Sequence, residues 1–295
     1  MTSVITGANG FIGRHLTEHL RASGEEVMAL TREDCDILDA DRLRGFIREA
    51  RPRRIFHLAA QSLPGVSWSS PAETIRVNVE GTLNVLDAVR GAEIDPAIVV
   101  VCSSSEYAQS KDGRPIRETD AKQPLSPYAV SKLAADHCAQ VYALRYRMNI
   151  LRVRPFFLIG PRKTGDVCSD LARRVVAVER GEAADVPVGR LDIVRDFLDV
   201  GDGVEAMKLI STTGAAGDDY NICAGRGYRI GDVLDGYRKL ATKPIRERLD
   251  PALVRAIDEP IKVGDPAKLQ ALGWKARYPI ERSLSAILEY WRSMP

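Results

Sequence analysis

The chain has 295 residues, 45% of them hydrophobic and 28% charged, and a formal net charge of +2 at pH 7. That length and apolar content suffice for one large α/β domain with an appended lobe, and they exclude a disordered chain. The near balance of charge shows no polyanion-binding bias, so nucleic acid and membrane surfaces are not expected partners, and no apolar run is long enough to cross a bilayer. The five cysteines, Cys35, Cys102, Cys138, Cys168 and Cys223, form no close C-x-x-C pair. With no leader evident, this spacing fits a reducing cytoplasm rather than a disulfide framework or a zinc ribbon.

In chain order, Val4-Ile5-Thr6 is a short apolar strand, followed by a glycine-rich turn and a helix from about Phe11. Glu26 to Thr31 and Arg54 to Ala60 read as further strands, and Ala97 to Cys102 as the strongest of all. Its run Ile98-Val99-Val100-Val101 lacks polar alternation, as expected of a parallel strand covered on both faces. Helical patterns lie between them at Asp41–Ala50, Asn78–Gly91 and Tyr128–Arg145. Alternating strand and helix imply a Rossmann-type, doubly wound parallel sheet. After Arg154-Pro155 the rhythm changes to a basic loop, Gly160 to Gly165, then short strands and charged helices. The expected division is a dinucleotide-binding domain over 1–155 and a mainly substrate-binding lobe over 156–295, with a stretch at about 193–230 returning to the first domain.

Gly7-Ala8-Asn9-Gly10-Phe11-Ile12-Gly13 follows the first strand and opens the first helix. Glycines let the backbone turn tightly and approach a pyrophosphate, and the helix N-terminus offers unpaired N–H groups. The second strand ends at Leu30-Thr31-Arg32. An arginine there suits the 2′-phosphate of NADP, where an acidic residue would suit the 2′-OH of NAD. NADP(H) is therefore the preferred cofactor, with NAD(H) possible. Further on, Tyr128 and Lys132 form Y-x-x-x-K at i,i+4, which puts phenol and ammonium on one helix face. A nearby cation favours the phenolate, so Tyr128 can exchange the proton that accompanies hydride transfer. A hydroxyl at the end of the Ala97–Cys102 strand, from Ser103-Ser104-Ser105, would complete the site.

His15-Leu-Thr-Glu18-His19 matches the H-x-x-E-H form of some zinc peptidases. No third ligand is evident, so no metal is expected. His57 reads as a packed strand-end residue.

The glycine turn, Leu58-Ala59-Ala60-Gln61-Ser62, the strand-end serines and Y-x-x-x-K together resemble the extended short-chain dehydrogenases/reductases. Ala60-Gln61-Ser62 with Val66-Ser67-Trp68 is similar to the GDP-mannose 4,6-dehydratases. Pro127 to Ala135 and Val188 to Val200 are similar to the GDP-4-keto-6-deoxy-mannose reductases. The resemblance implies a cofactor site of Gly7, Asn9, Gly10, Phe11, Ile12, Gly13, Arg32, Asp36, Ile37, Leu58, Ala59, Ala60, Cys102, Tyr128, Lys132 and Pro155. It implies a substrate site of Gln61, Ser62, Ser103, Ser104, Phe157, Arg162, Lys163 and Arg195, the three basic groups serving a nucleotide diphosphate. Phe157 stands where the family usually carries an asparagine. Glu106-Tyr107-Ala108 is one residue short of the usual spacing. Aligning on Glu106 makes Ser104 the catalytic hydroxyl and Glu106 a dehydratase-type acid/base, whereas aligning on Tyr107 makes it Ser103; Ser104 is the reading adopted.

The expected reaction is NADPH-dependent reduction of a nucleotide-linked 4-keto-6-deoxy sugar. The alternatives are a 4,6-dehydratase or epimerase with tightly bound NAD(P), and a non-catalytic NADP-binding scaffold. A homodimer is expected on the Asn78–Gly91 and Tyr128–Arg145 helices, with Leu83, Leu86 and Val89 as one apolar stripe and Leu133, Val141 and Leu144 on the other helix.

Overall fold

The structure is a computed structural model that describes residues 2–110, 113–254 and 259–295. The first half runs β1 (Thr2–Thr6), α1 (Phe11–Ala22), β2 (Glu26–Leu30), α2 (Ala40–Ala50) and β3 (Arg54–His57). Two short helices follow, α3 (Pro64–Ser69) and α4 (Pro71–Ile75), then α5 (Gly81–Gly91), β4 (Ala97–Val101), α6 (Pro127–Tyr146) and β5 (Ile150–Pro155). The second half holds β6 (Phe157–Ile159), α7 (Val167–Arg180), β7 (Val186–Val188), β8 (Val194–Arg195), β9 (Phe197–Asp199), α8 (Val200–Thr213) and β10 (Asp219–Ile222). It ends with β11 (Tyr228–Arg229), α9 (Ile230–Leu240), β12 (Glu247–Leu249), β13 (Ile261–Lys262), α10 (Ala267–Gln270) and α11 (Ile280–Ser293).

Six strands form one sheet in the order β2-β1-β3-β4-β5-β10, and every neighbouring pair is parallel. Side chains alternate along a strand, so each strand supplies both faces. Ile5, Phe56, Val99 and Leu151 pack with Leu16 and Leu20 of α1 and Met207 and Ile210 of α8. Their neighbours Val4, Ile55, Ile98 and Ile150 pack on the other face with Leu43 and Ile47 of α2 and Val85, Leu86 and Val89 of α5. Unbroken β-branched sequence is therefore a consequence of cover on both sides. Strand order reverses beside β1, since β2 lies on one side and β3 on the other. The crevice beyond the carboxyl ends of β1 and β3 is where such sheets hold ligands.

The second half contributes both to this sheet and to a core of its own. β10 extends the main sheet beside β5, and α8 packs against α1. Leu171 and Val175 of α7, Val233 and Leu234 of α9, and Leu284 and Ile287 of α11 form the separate core. Short strands pair around it: β6 with β9, β7 with β12, and β8 between β11 and β13.

Two sequence expectations need correction. The helix expected from Asn78 begins instead as a π turn over Arg76–Glu80, and α5 follows from Gly81. Leu86 and Val89, read as part of an interface stripe, lie in the chain's own core. Periodicity identifies an apolar face but not what covers it. α6 differs: Val130, Val141 and Leu144 face outward, Leu144 with 74% of its surface exposed.

Candidate active site

The turn after β1 needs its glycines for different reasons. Gly7 has φ of +70°, and a Cβ there would lie 2.7 Å from the Ala59 nitrogen. A Cβ on Gly13 would lie 2.3 Å from the Gly7 carbonyl oxygen. Turn, helix and the loop after β3 are thus in backbone contact. No side chain caps α1, and no acidic residue stands in its first turn. Its first N–H groups and partial positive charge are left to an anion, so the turn fits the diphosphate of a dinucleotide. At the end of β2, Arg32 is well exposed and its Nε lies 3.0 Å from Asp36 Oδ2. Ile37 is buried and closes on Gly81.

α6 carries the pair expected to be catalytic, Tyr128 and Lys132. Ser126 caps it by accepting the Ala129 N–H at 3.1 Å, and Pro127 supplies the fixed φ of a first helical residue. Tyr128 and Lys132 then face the end of β4. Lys132 is buried and its Nζ donates to the Val101 carbonyl at 2.8 Å. Tyr128 is hydrogen-bonded to the Ser103 hydroxyl. Burial pushes the Tyr128 phenol up to about 12, against the Ser103 hydrogen bond that lowers it. Burial also holds the Lys132 ammonium below its ordinary value.

The strand-end serines sort differently from the adopted reading. Ser103 Oγ accepts from the Ser105 N–H at 3.1 Å and the Ser105 hydroxyl at 2.8 Å, which leaves its own proton for Tyr128. Ser104 is buried in the first position of a single 3₁₀ turn, Ser104–Glu106. The hydroxyl beside Tyr128 is therefore that of Ser103. Glu106, expected as an acid/base, has no exposed surface, and its two oxygens accept from the Ser103 N–H at 2.9 Å and Arg154 Nε at 3.0 Å. Arg154 on β5 is also fully buried and bonds Asp136 and Asp219. Burial and the Asp136 charge push the Glu106 carboxyl up; Arg154 overrides burial to hold Asp136 down.

The expected diphosphate clamp is partly engaged elsewhere. Arg162 bonds Glu18 of α1 at 2.6 Å, and Lys163 donates to the Leu158 carbonyl at 2.5 Å. Arg195 is buried, lies 5.3 Å over the Phe157 ring and donates to the Glu259 carbonyl at 2.7 Å. Gln61 turns its side chain to Leu63 and Thr74, and Ser62 is exposed. Cys102 and Pro155 are buried at the ends of β4 and β5, whereas Leu58, Ala59 and Ala60 are half-buried after β3. The two histidines of the zinc-like match are used separately: His15 meets the Pro161 carbonyl at 3.2 Å and His19 meets Glu205 at 3.0 Å. His57 is buried between the hydroxyls of Thr6 and Thr82, at 2.8 Å and 3.0 Å. Burial lowers it to about 3, so it is neutral and structural.

Sequence reasoning missed three residues around the site. Asn78 in the π turn is buried, accepts from the Gln61 N–H at 2.8 Å and donates to the Ser131 hydroxyl at 2.8 Å, tying the loop after β3 to α6. π turns recur at functional sites, yet they leave no mark on periodicity. Asp136 and Arg154 were passed over as well. An acidic residue four positions beyond Lys132, on the same helix face, was the available signal.

A glycine turn at a reversal of strand order, facing a Ser-Tyr-Lys group after β4 and on α6, is the arrangement of a dinucleotide-dependent enzyme of the short-chain dehydrogenase/reductase type. Comparison with known proteins carries this further. The model of the NAD dependent epimerase/dehydratase family matches residues 3–223, and the chain belongs to that family. It is 33% identical to GDP-6-deoxy-D-mannose reductase of Pseudomonas aeruginosa, over 98% of this chain and 96% of that one. It is 30% identical to GDP-mannose 4,6 dehydratase 2 of Arabidopsis thaliana, over 97% and 86%. Among solved structures, RMD from Pseudomonas aeruginosa complexed with NADPH superposes with a TM-score of 0.92 at 32% identity, covering 99% of each chain. The chain is an NAD(P)-dependent enzyme with a Rossmann-type sheet, and among the described residues no helix is long and apolar enough to cross a membrane.

Gly13→Ala tests the turn. The added methyl meets the Gly7 carbonyl, so NADPH affinity should fall by about tenfold or more, in line with overpacking costs of ~1–3 kcal/mol. Fluorescence titration measures it, and affinity equal to wild type would show that the turn does not hold the dinucleotide.

Proposed function

We propose that the enzyme reduces the 4-keto group of a nucleotide-linked 6-deoxy sugar, of the GDP-4-keto-6-deoxy-mannose type, with NADPH. The observation that carries reduction over dehydration is the burial of Glu106 under Arg154. Eliminating water needs an acid/base at the sugar besides Tyr128, and Glu106, the acidic candidate the sequence offers, is engaged elsewhere. The guanosine diphosphate and the sugar class rest on the names of the relatives. Gly7, Gly10 and Gly13 would hold the diphosphate of the dinucleotide, and Lys132 the nicotinamide ribose. Bound, the reduced nicotinamide supplies a hydride to the carbonyl carbon. Tyr128 gives its phenolic proton to the carbonyl oxygen, and Ser103 orients that oxygen by hydrogen bonding. Phe157 and Arg195 line the sugar-nucleotide side. Free cysteines fit work in a reducing cytoplasm.

Tyr128→Phe should lower kcat by about 10²–10⁴-fold while NADPH affinity stays within about threefold, as expected for loss of a general acid. Because burial raises the phenol, it is protonated at neutral pH, and the wild-type reduction rate should stay flat from about pH 6 to 9. Assays with NADPH and a GDP-4-keto-6-deoxy sugar decide both points. Loss of less than about tenfold in Tyr128→Phe, or a kinetic pKa near about 7, would remove this role.

Arg32 is proposed to read the 2′-phosphate, since it is exposed at the end of β2 and, among the described residues, pairs with Asp36. Arg32→Asp should move the NADPH/NADH preference toward NADH by about tenfold or more. Equal loss for both cofactors would count against it.

We infer a homodimer through α6, whose Val130, Val141 and Leu144 face outward on one long helix. Twofold pairing is the commonest way to cover such a face. Light scattering should give twice the single-chain 32.5 kDa. The single-chain mass at micromolar concentration would refute it.

A further inference from the structure

Glu106 is a fully buried carboxylate that the proposed reaction does not use, and its contacts form a continuous path. One oxygen accepts the Ser103 N–H at 2.9 Å. The other accepts Arg154 Nε at 3.0 Å. The same Nε lies 2.8 Å from Asp136, which also takes the Arg152 guanidinium at 2.7 Å. Arg154 is fixed from its far side by Asp219 at 2.6 Å and the Tyr107 hydroxyl at 3.0 Å. Asp136 lies four residues beyond Lys132 and eight beyond Tyr128, so all three share one face of α6. The path therefore begins at the backbone of Ser103 and ends on the helix of Tyr128.

A single 3₁₀ turn has poor hydrogen-bond geometry and holds itself weakly. A reacting hydroxyl must nevertheless be held within about 0.5 Å, and a misplacement of about 1 Å can cost 10²-fold in rate. The turn Ser104–Glu106 cannot supply that alone. The bonds to Arg154 and Asp136 can, because each is buried and charge-assisted.

We propose that Glu106 is a positioning residue that, through Arg154 and Asp136, holds the Ser103 hydroxyl against Tyr128. This rests on Ser103 and Tyr128 as the reacting groups. It also accounts for a carboxylate beside the site that takes no part in eliminating water.

The test is a double-mutant cycle of Glu106→Gln with Ser103→Ala in the NADPH-bound enzyme. Each single change should lower kcat about tenfold or more, with KM and NADPH affinity within about threefold. The double variant should be no worse than the poorer single within about twofold, because Glu106 acts through Ser103. Multiplying losses would overturn the proposal. A second arm needs no substrate: the ¹³Cζ signal of Tyr128, assigned with Tyr128→Phe. It should move in the same direction in Glu106→Gln as in Ser103→Ala. A signal that is unmoved or moves the opposite way in folded Glu106→Gln would also overturn the proposal, because loss of the Glu106 charge alone acts opposite to loss of the Ser103 hydrogen bond. Should wild type reduce no 4-keto sugar, the functional reading fails and the spectroscopic arm alone decides. Should Glu106→Gln not fold, Asp136→Asn breaks the same path without touching Ser103 and must move the signal likewise.

Discussion

The Arg154 guanidinium has no exposed surface, and much of the molecule is arranged around it. A buried charge is tolerated only when paired and fully hydrogen-bonded, and removing a partner typically costs ~3–5 kcal/mol. Its four partners come from three places in the fold: Glu106 and Tyr107 in the segment after β4, Asp136 on α6 and Asp219 on β10. β4, β5 and β10 are neighbours in the sheet, and α6 is the crossover between β4 and β5. Satisfying one guanidinium thus fixes the mutual register of three strands and the helix of Tyr128. Had α6 docked one turn away, Asp136 would leave Arg154 and Tyr128 would leave Ser103 together.

Much of the fold was legible because its causes are local. The run Ile98-Val99-Val100 can be covered on both faces only in a parallel sheet, and the structure places it there. Gly13 was legible for a steric reason local to the turn and Gly7 for its left-handed φ, although the Ala59 backbone that also crowds Gly7 comes from the loop after β3. Tyr128 and Lys132 share a face at any register of the helix. By contrast, the Leu83, Leu86, Val89 stripe announced an apolar face but not its neighbour. The sheet claims Leu86 and Val89, while Leu144 on α6 stays outside.

The remainder was hidden because it turns on single-residue register or distant pairing. In a 3₁₀ turn successive side chains point about 120° apart. Choosing Ser104 over Ser103 therefore swaps a buried hydroxyl for the one beside Tyr128. Counting from Glu106 assumed that this carboxylate faces the sugar, and nothing local reveals that Arg154, 48 residues later, claims it. Arg162 looked free for a diphosphate for the same reason, its partner Glu18 lying 144 residues earlier.

The electrostatics of the pair bear on the direction of the chemistry. Burial opposes both charges, raising the Tyr128 phenol and lowering the Lys132 ammonium. The carboxylate of Glu106 adds to the first effect, while the Ser103 hydrogen bond opposes it. A phenol held protonated is ready to give a proton to an oxygen that gains negative charge. To act as a base it must first lose that proton against burial and against Glu106, which requires further positive charge beside it. The protein alone is thus poised as an acid, the state that carbonyl reduction consumes. Glu106 bears on Tyr128 only when ionised, and burial beside Asp136 opposes its ionisation as well.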